Sequence, residues 1–329
     1  MRAVHYDGAG GHEVITVTDV SDPVPQAGEV LIEVAAAALN RADVMQRAGM
    51  YPPPKGASEI PGLEVSGRVI AAGQGSDVAA EGLIGKEVVA LLAGGGYAEK
   101  VVVDARHVLP VPAGVSLIDA AGLIEVAATV HSNLRGEARV QAGDTVLIHG
   151  GTGGIGSFAL QHLHALGAEV LTTVGSAEKA SLAVELGADH VINYRTEDLG
   201  ERVQEITGGR GVDAILDVVG AKYLETNLAS LATGGRMVII GLQGGRKAEV
   251  DLGLMLAKRL RIIATTLRSR DAEAKAAIVQ AVGAEVWPLL EAGQIKIQTD
   301  KTFPLQEAAA AHEYFDSGTH TGKVLLTMR

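Results

Sequence analysis

The stretch TVLIHGGTGGIG, residues 145–156, decides how this chain folds. An apolar run of strand length ends in a glycine cluster, and SFALQHL (157–163) continues from it with helical spacing. Gly151, Gly153 and Gly156 fit the pattern G-x-G-x-x-G. In that pattern the first glycine makes the tight turn and the second lets backbone approach a pyrophosphate. The third lets helix and strand pack closely, and the helix N-terminus then faces the anion. Ile155, Ala159, Leu163 and Leu166 follow helical spacing, and Gly167 closes the helix. With 42 glycines in the chain the spacing alone carries little. The strand before it and the helix after it make it a dinucleotide site.

A missing acid narrows the dinucleotide. NAD sites hold the adenosine ribose 2′-hydroxyl with a carboxylate about 20 residues beyond the glycines. Here the second strand, EVLTTVGS (169–176), has no acid at its C-terminal end. Ser176, Lys179 and Tyr194 are available instead, a lysine and two hydroxyls suited to a 2′-phosphate. Two charge-assisted bonds at roughly 1.5–3 kcal/mol each would favour NADPH by about a hundredfold or more.

Composition bounds the rest. The 329 residues are many for one core, so two domains are expected. The net charge of −11 disfavours a nucleic-acid partner. No apolar run reaches membrane-spanning length and the N-terminus lacks the apolar core of a signal peptide, so no membrane and a cytoplasmic location are expected. There is no cysteine, which removes disulfides, thiolate nucleophiles and cysteine-ligated zinc. The ten histidines form no H-E-x-x-H pair, and no metal site is expected.

Strands are read at 145–149, 170–174, 190–194, 212–217, 236–241 and 261–265, with helices near 154–166, 177–186, 197–206 and 222–232. Residues 252–258 can supply the last crossover. Six strands with crossover helices imply an α/β fold around a doubly wound parallel Rossmann sheet. The first 115 residues differ, with short β-rich segments at 29–34, 63–72, 86–92 and 97–103 between Gly, Pro and Asp clusters. That punctuation suggests a compact, partly open β-barrel. A helix at 306–315 and a strand at 323–327 are expected to rejoin it. The division expected is a split β-rich catalytic domain, 1–122 and 266–329, around a nucleotide-binding domain, 123–265, with the active site in the cleft. The segment TLRSRD (266–271) reads as a solvated turn more readily than as cleft lining.

Several segments together resemble one family along essentially the whole chain. They are LNRAD (39–43), RAGMYP (47–52), PGLEVSG (61–67), the glycine turn, LGADHVINY (186–194) and TGKV (321–324). The chain resembles the zinc-independent branch of the medium-chain dehydrogenase/reductase superfamily, the NADPH:quinone oxidoreductases related to zeta-crystallin. That resemblance implies a GroES-like β-rich catalytic domain beside the Rossmann domain. Zinc alcohol dehydrogenases of this fold carry a cysteine ligand where this chain has Asn40, and a histidine ligand where it has Leu63. Neither replaces such a ligand, so the chemistry runs without a Lewis acid. Quinones and activated enones suit that situation, because the charge left by hydride addition spreads over a conjugated oxygen.

The resemblance places Asn40 beside nicotinamide and substrate, able to donate to a quinone oxygen. Tyr51, on the stiff YPPP loop, is a candidate for ring stacking or donation, and Asp43 for orienting neighbours. It also implies Thr129 near the nicotinamide end, and Thr152, Gly153, Gly154 and Ile155 on the pyrophosphate. Gly241 and Leu242 are expected beside the nicotinamide. Some relatives set an arginine near the chain's end against the 2′-phosphate; the aligned position here is Gly318, and Lys323 or Arg268 would have to compensate. An edge rich in Ile and Val at the last strands invites pairing with a second copy, and a homodimer is expected. The leading expectation is NADPH-dependent quinone reduction. The rivals are reduction of the C=C bond of enals, enones or enoyl thioesters, and a non-catalytic NADPH-binding protein.

Overall fold

The computed structural model describes residues 1–328, which form two compact units. One unit comprises Met1–Ala128, Leu267–Gly293 and the chain from Ile297 on; the other comprises Thr129–Thr266 and Gln294–Lys296. No helix among the described residues is long and apolar enough to cross a membrane.

The second unit is a six-stranded, all-parallel sheet. Its spatial order is His190–Asn193, Glu169–Val174, Thr145–His149, Val212–Asp217, Leu231–Ile239, Arg261–Ala264. The first strand in sequence lies at the centre and the chain winds outward on both sides, which is the doubly wound order. All five residues of Thr145–His149 are buried, as a central parallel strand covered on both faces requires. Leu147, Leu171, Ile215 and Met237 build the core with Leu199, Val203 and Leu228 of the crossover helices.

Several elements depart from the sequence reading. The fifth strand starts at Leu231 rather than 236, because Leu231 already pairs with Val212. Its register then shifts, Ala214 pairing with Arg236, and the intervening Gly234 takes a positive φ of 80°. The preceding helix is correspondingly short, Leu224–Ser230. Where the chain passes from the first unit into this one, a helix not foreseen, Ile124–Val130, continues into the wider winding His131–Glu137. There Ala138 N–H reaches back five residues to the Asn133 carbonyl at 2.8 Å.

In the first unit the long strand Glu29–Ala38 organises a seven-stranded, largely antiparallel sheet. It pairs with Glu64–Ala72 over most of its length, with Lys100–Asp104 near its start and with Lys323–Thr327 at its end. Alternate residues Val30, Ile32 and Val34 face a core shared with Val65, Tyr97, Leu305, Phe315 and Leu326. The helix Ala272–Glu285 also belongs here, its first turn capped by the Asp271 carboxylate, which accepts from Ala274 N–H at 2.8 Å.

The glycines of the 150–156 turn are not equivalent. A Cβ at Gly156 would land on the Gly150 carbonyl and 2.7 Å from Gly151 Cα. A Cβ at Gly151 would strike the Thr172 side chain, whose hydroxyl donates to the Ile148 carbonyl at 2.8 Å. At Gly153 the nearest atom would be 3.7 Å away. Gly156→Ala should therefore lose about 2 kcal/mol or more of stability, whereas Gly153→Ala should stay within about 1 kcal/mol of the parent. Urea denaturation of the two variants measures the contrast; equal losses would contradict this account of the turn.

Candidate active site

The strand Thr145–His149 delivers the chain to Gly150, whose positive φ of 75° starts the turn. The helix Gly154–Leu166 follows, its N-terminus lacking any side-chain cap, and Gly167 ends it in the left-handed conformation. Since Gly153 has room for a side chain within the protein, the space there is open to a ligand, and the uncapped N–H groups suit a phosphate. Thr152 is buried, while Gly154 and Ile155 are partly so.

A buried network not anticipated from sequence holds this turn. Gly150 N–H donates to Thr173 Oγ1 at 3.2 Å, and Thr173 Oγ1 lies 3.2 Å from His149 Nδ1. His149 Nε2 donates to Asn227 Oδ1 at 2.8 Å, which leaves Nδ1 to accept from Thr173. Burial lowers the His149 pKa and keeps the ring neutral. On the neighbouring strand Asp217 is fully buried and accepts from Val219 N–H at 2.7 Å and Gly220 N–H at 3.1 Å.

Ser176 and Tyr194 lie beyond the ends of the second and third strands, and Lys179 is in the first turn of the helix that Ser176 caps. Ser176 caps the helix Ala177–Glu185, its hydroxyl accepting from Lys179 N–H at 3.3 Å. The half-exposed Tyr194 places its hydroxyl over Gly175, where a Cβ would collide with it. Gly175 thus keeps Tyr194 beside Ser176, a requirement visible only once the strands are paired. Gly241 passes so close to Val218 that a Cβ would meet its carbonyl at 2.8 Å, and the following Leu242 is exposed. Thr129 is buried, and its carbonyl accepts from Asn133 Nδ2 at 2.8 Å.

The first unit holds the other group of expected residues. Asn40 stands at the start of the helix Arg41–Arg47. Asp43 holds that end of the helix: its Oδ2 accepts from Asn40 N–H at 2.8 Å and from the Tyr97 hydroxyl at 2.9 Å. Its Oδ1 accepts from Gly62 N–H at 3.1 Å. Burial pushes the Asp43 carboxyl up to about 6, these hydrogen bonds opposing the shift, and the side chain has no exposed surface. It is an organiser of the loop rather than a group that meets a ligand.

The Asn40 side chain makes different contacts. Its Nδ2 donates to Glu64 Oε1 at 3.0 Å, while Lys323 Nζ donates to Asn40 Oδ1 at 2.8 Å and to Glu64 Oε1 at 2.7 Å. Glu64 Oε2 accepts from Glu125 N–H at 2.9 Å. Tyr51 lies under Arg268, the guanidinium carbon 5.5 Å from the ring centre. Arg268 donates to the Ala93 carbonyl and to Gln46 Oε1 at 2.8 and 2.7 Å.

Two expectations are therefore corrected. Lys323 and Arg268 turn inward rather than toward a 2′-phosphate: both are buried, Lys323 donating to Asn40 and Glu64 and Arg268 to Ala93 and Gln46. The segment 266–271 is solvated only in part: Leu267 and Arg268 are buried, while Thr266, Ser269 and Asp271 are exposed.

A Rossmann sheet with an open glycine turn, carried with a β-rich unit built from both ends of the chain, defines a dinucleotide-dependent medium-chain dehydrogenase/reductase. The family model of zinc-binding dehydrogenases matches residues 154–282, and that of the alcohol dehydrogenase GroES-like domain matches residues 26–113. Quinone oxidoreductase 1 of Escherichia coli K12 is 33% identical over 327 residues, 98% of each chain. Among solved structures, E. coli quinone oxidoreductase complexed with NADPH has a TM-score of 0.89 at 32% identity, covering 99% of this chain and 100% of that one. A mycobacterial protein solved with NADPH gives 0.88 at 33%, covering 99% of each. The chain belongs to the quinone oxidoreductase family of the medium-chain dehydrogenase/reductase superfamily.

The zinc in the wider family's description does not fit this chain's residues. Leu63 offers no donor atom, Asn40 offers only a neutral amide, and the Lys323 ammonium already occupies the Glu64 carboxylate. No group of three metal-ligating side chains occurs among the described residues.

Glu125 supplies a pH test of this cluster. Burial, then the Glu64 carboxylate, push its carboxyl up to about 8, against the opposing pull of Lys323. A raised native pKa means that this group's stabilisation is fully present below its ordinary value of 4.5 and is lost as pH rises toward about 8. Glu125→Gln should gain stability relative to the parent between pH 5 and pH 9, by at least about 1 kcal/mol. Urea melts of both proteins at the two pH values measure it; a difference independent of pH would refute the buried acid.

Proposed function

We propose that this protein is an NADPH-dependent quinone oxidoreductase that works without a metal. The observation that carries the proposal is the Asn40–Glu64–Lys323 cluster: the amide at the position that the resemblance matches to a zinc ligand is bonded to an ammonium and a carboxylate instead. Full-length likeness to quinone oxidoreductases supports it.

NADPH, when bound, supplies the hydride. The N–H groups of Thr152, Gly154 and Ile155 hold its pyrophosphate, Gly151 and Gly153 shape the turn by donating to the Thr173 and Gly150 carbonyls, and Gly156 lets the helix come close. Ser176, Lys179 and Tyr194 hold the 2′-phosphate. Thr129, Gly241 and Leu242 bound the nicotinamide. Asn40 donates an amide N–H to the acceptor oxygen and Tyr51 covers the acceptor ring, with Asp43 fixing the loop that carries Asn40. A single fixed ammonium behind that amide polarises the acceptor weakly, so the acceptor must be electrophilic by itself. Solvent can deliver the protons that complete a hydroquinone.

A cytoplasmic location and a homodimer belong to the same proposal. The strand Arg261–Ala264 is an edge of the parallel sheet, and Leu252 and Leu256 of the helix that precedes it in the chain are 68% and 79% exposed. An open edge flanked by apolar side chains suits a second copy of the chain. Ile263→Lys should halve the mass seen by light scattering, and an unchanged mass would move the interface elsewhere.

The activity is tested by NADPH oxidation with an ortho-quinone, a para-quinone and a simple enal, with NADH alongside. Turnover of a quinone with NADPH well above NADH is expected, and turnover of the enal alone would transfer the protein to the alkene reductases. Lys179→Ala should raise the NADPH KM about tenfold or more and leave that for NADH nearly unchanged; equal effects would remove Lys179 from the phosphate site.

A further inference from the structure

An asparagine that must donate to a substrate has a difficulty built in. Its amide oxygen and nitrogen are nearly the same size, so a 180° turn of the amide presents an acceptor where a donor is needed. Against a quinone oxygen the turned amide would repel. Something must choose between the two orientations.

Around Asn40 the choice is made by charge. The amide oxygen meets Lys323 Nζ at 2.8 Å and the amide nitrogen meets Glu64 Oε1 at 3.0 Å. Turning the amide would set Nδ2–H against the ammonium and Oδ1 against the carboxylate, replacing two charge-assisted bonds by two repulsions. Lys323 and Glu64 also bond each other at 2.7 Å, and both are buried. A buried ion pair adds little to stability compared with apolar residues of similar size. Here both members spend a further bond on one amide.

The sheet explains why the three residues meet although they lie far apart in sequence. The central strand Glu29–Ala38 ends two residues before Asn40. On one side Ala37 pairs with Val65, the residue after Glu64; on the other Ala38 pairs with Leu325, and Leu39 N–H donates to the Val324 carbonyl at 2.9 Å. The register thus places the first residues of two strands, Glu64 and Lys323, against the side chain that leaves the third. Gly122 makes room for the lysine stem, since a Cβ there would lie 3.0 Å from Lys323 Cγ.

We propose that the Lys323–Glu64 ion pair is a positioning device that locks the Asn40 amide so that Nδ2, whose second N–H makes only a long bond of 3.4 Å to the Ala38 carbonyl, is the atom that donates to the acceptor oxygen. This rests on the quinone-reductase reading above. Lys323 and Glu64 act through Asn40 and touch no substrate themselves.

The test compares four purified proteins: the parent, Asn40→Ala, the pair variant Lys323→Met/Glu64→Gln, and the triple variant. Each is assayed for quinone kcat and KM with saturating NADPH, for NADPH binding by fluorescence, and for thermal melting. The pair variant should fold, bind NADPH as the parent does, and lose about tenfold in quinone kcat/KM. The triple variant should be no worse than Asn40→Ala, because the pair has no target once the amide is gone. A pair effect of the same size with and without Asn40, or a folded pair variant with parental turnover, would overturn the proposal. Should the neutral pair not fold, the reversed pair Lys323→Glu/Glu64→Lys keeps opposite charges but favours the turned amide. It should lose quinone turnover as Asn40→Ala does, and parental activity would be fatal to the proposal. A parent that binds NADPH but reduces no quinone would instead bring down the functional reading on which this one stands.

Discussion

One carbonyl oxygen constrains the whole nucleotide-binding unit. Gly150 O occupies the place that any side chain at position 156 would need. The helix Gly154–Leu166 can lie against the strand Thr145–His149 only because 156 has no side chain. That close packing sets the direction of the first helix, and so the direction in which its uncapped N–H groups point. The neighbouring strand Glu169–Val174 holds the same turn from beneath, Thr172 filling the space over Gly151 and Thr173 taking the Gly150 N–H. His149 and Asn227 extend the network to a crossover helix, tying the loop to elements that are rigid for other reasons.

In the β-rich unit the comparable constraint is the register of the strand Glu29–Ala38. Its partners bring Glu64 and Lys323 to the point where the chain leaves the sheet. The Arg41–Arg47 helix then begins under the control of Asp43, which collects three donors from Asn40, Gly62 and Tyr97. With its backbone fixed by Asp43 and its amide held by the ion pair, Asn40 has little freedom left. Side chains on this short loop are as well determined as residues of the sheet itself.

What could be read in the sequence follows from how local each signal is. The glycine turn, the strand at 145–149, the helix at 154–166 and the cluster of Ser176, Lys179 and Tyr194 each rest on spacing within about one βαβ unit, and spacing survives in one dimension. The roles of Lys323 and Arg268 could not be read that way. Their partners, Glu64 and Gln46, are separated from them by 259 and 222 residues, and only the folded sheet brings them together. A lysine or arginine without a visible partner reads as a phosphate ligand or a surface charge. The sequence suggests Asp43 as an orienting group, but its partner Tyr97 lies 54 residues away and only the fold brings it near. The helix Ala272–Glu285 was legible and missed: Asp271 followed by a run of alanine, glutamate and lysine is a capped helix on local signals alone.

The substitutions at Asn40 and Leu63 are better understood as one exchange than as two losses. A divalent metal with its ligands would place a strong, compact charge against a carbonyl oxygen and favour substrates that develop a localised alkoxide. Here one ammonium carries the positive charge, and Glu64 cancels most of it at 2.7 Å. On the proposed reading, what reaches the acceptor is then the dipole of an oriented amide. A dipole of that strength discriminates poorly among carbonyls that need strong polarisation, yet it suffices where conjugation has already spread the incoming charge. The raised Glu125 carboxyl fits the same logic, since protonation spares the cluster a second negative charge that would oppose the electrons entering a quinone. With one ammonium, one carboxylate and a neutral acid, the cluster sums to zero, and an uncharged acceptor matches that environment better than an anionic one does.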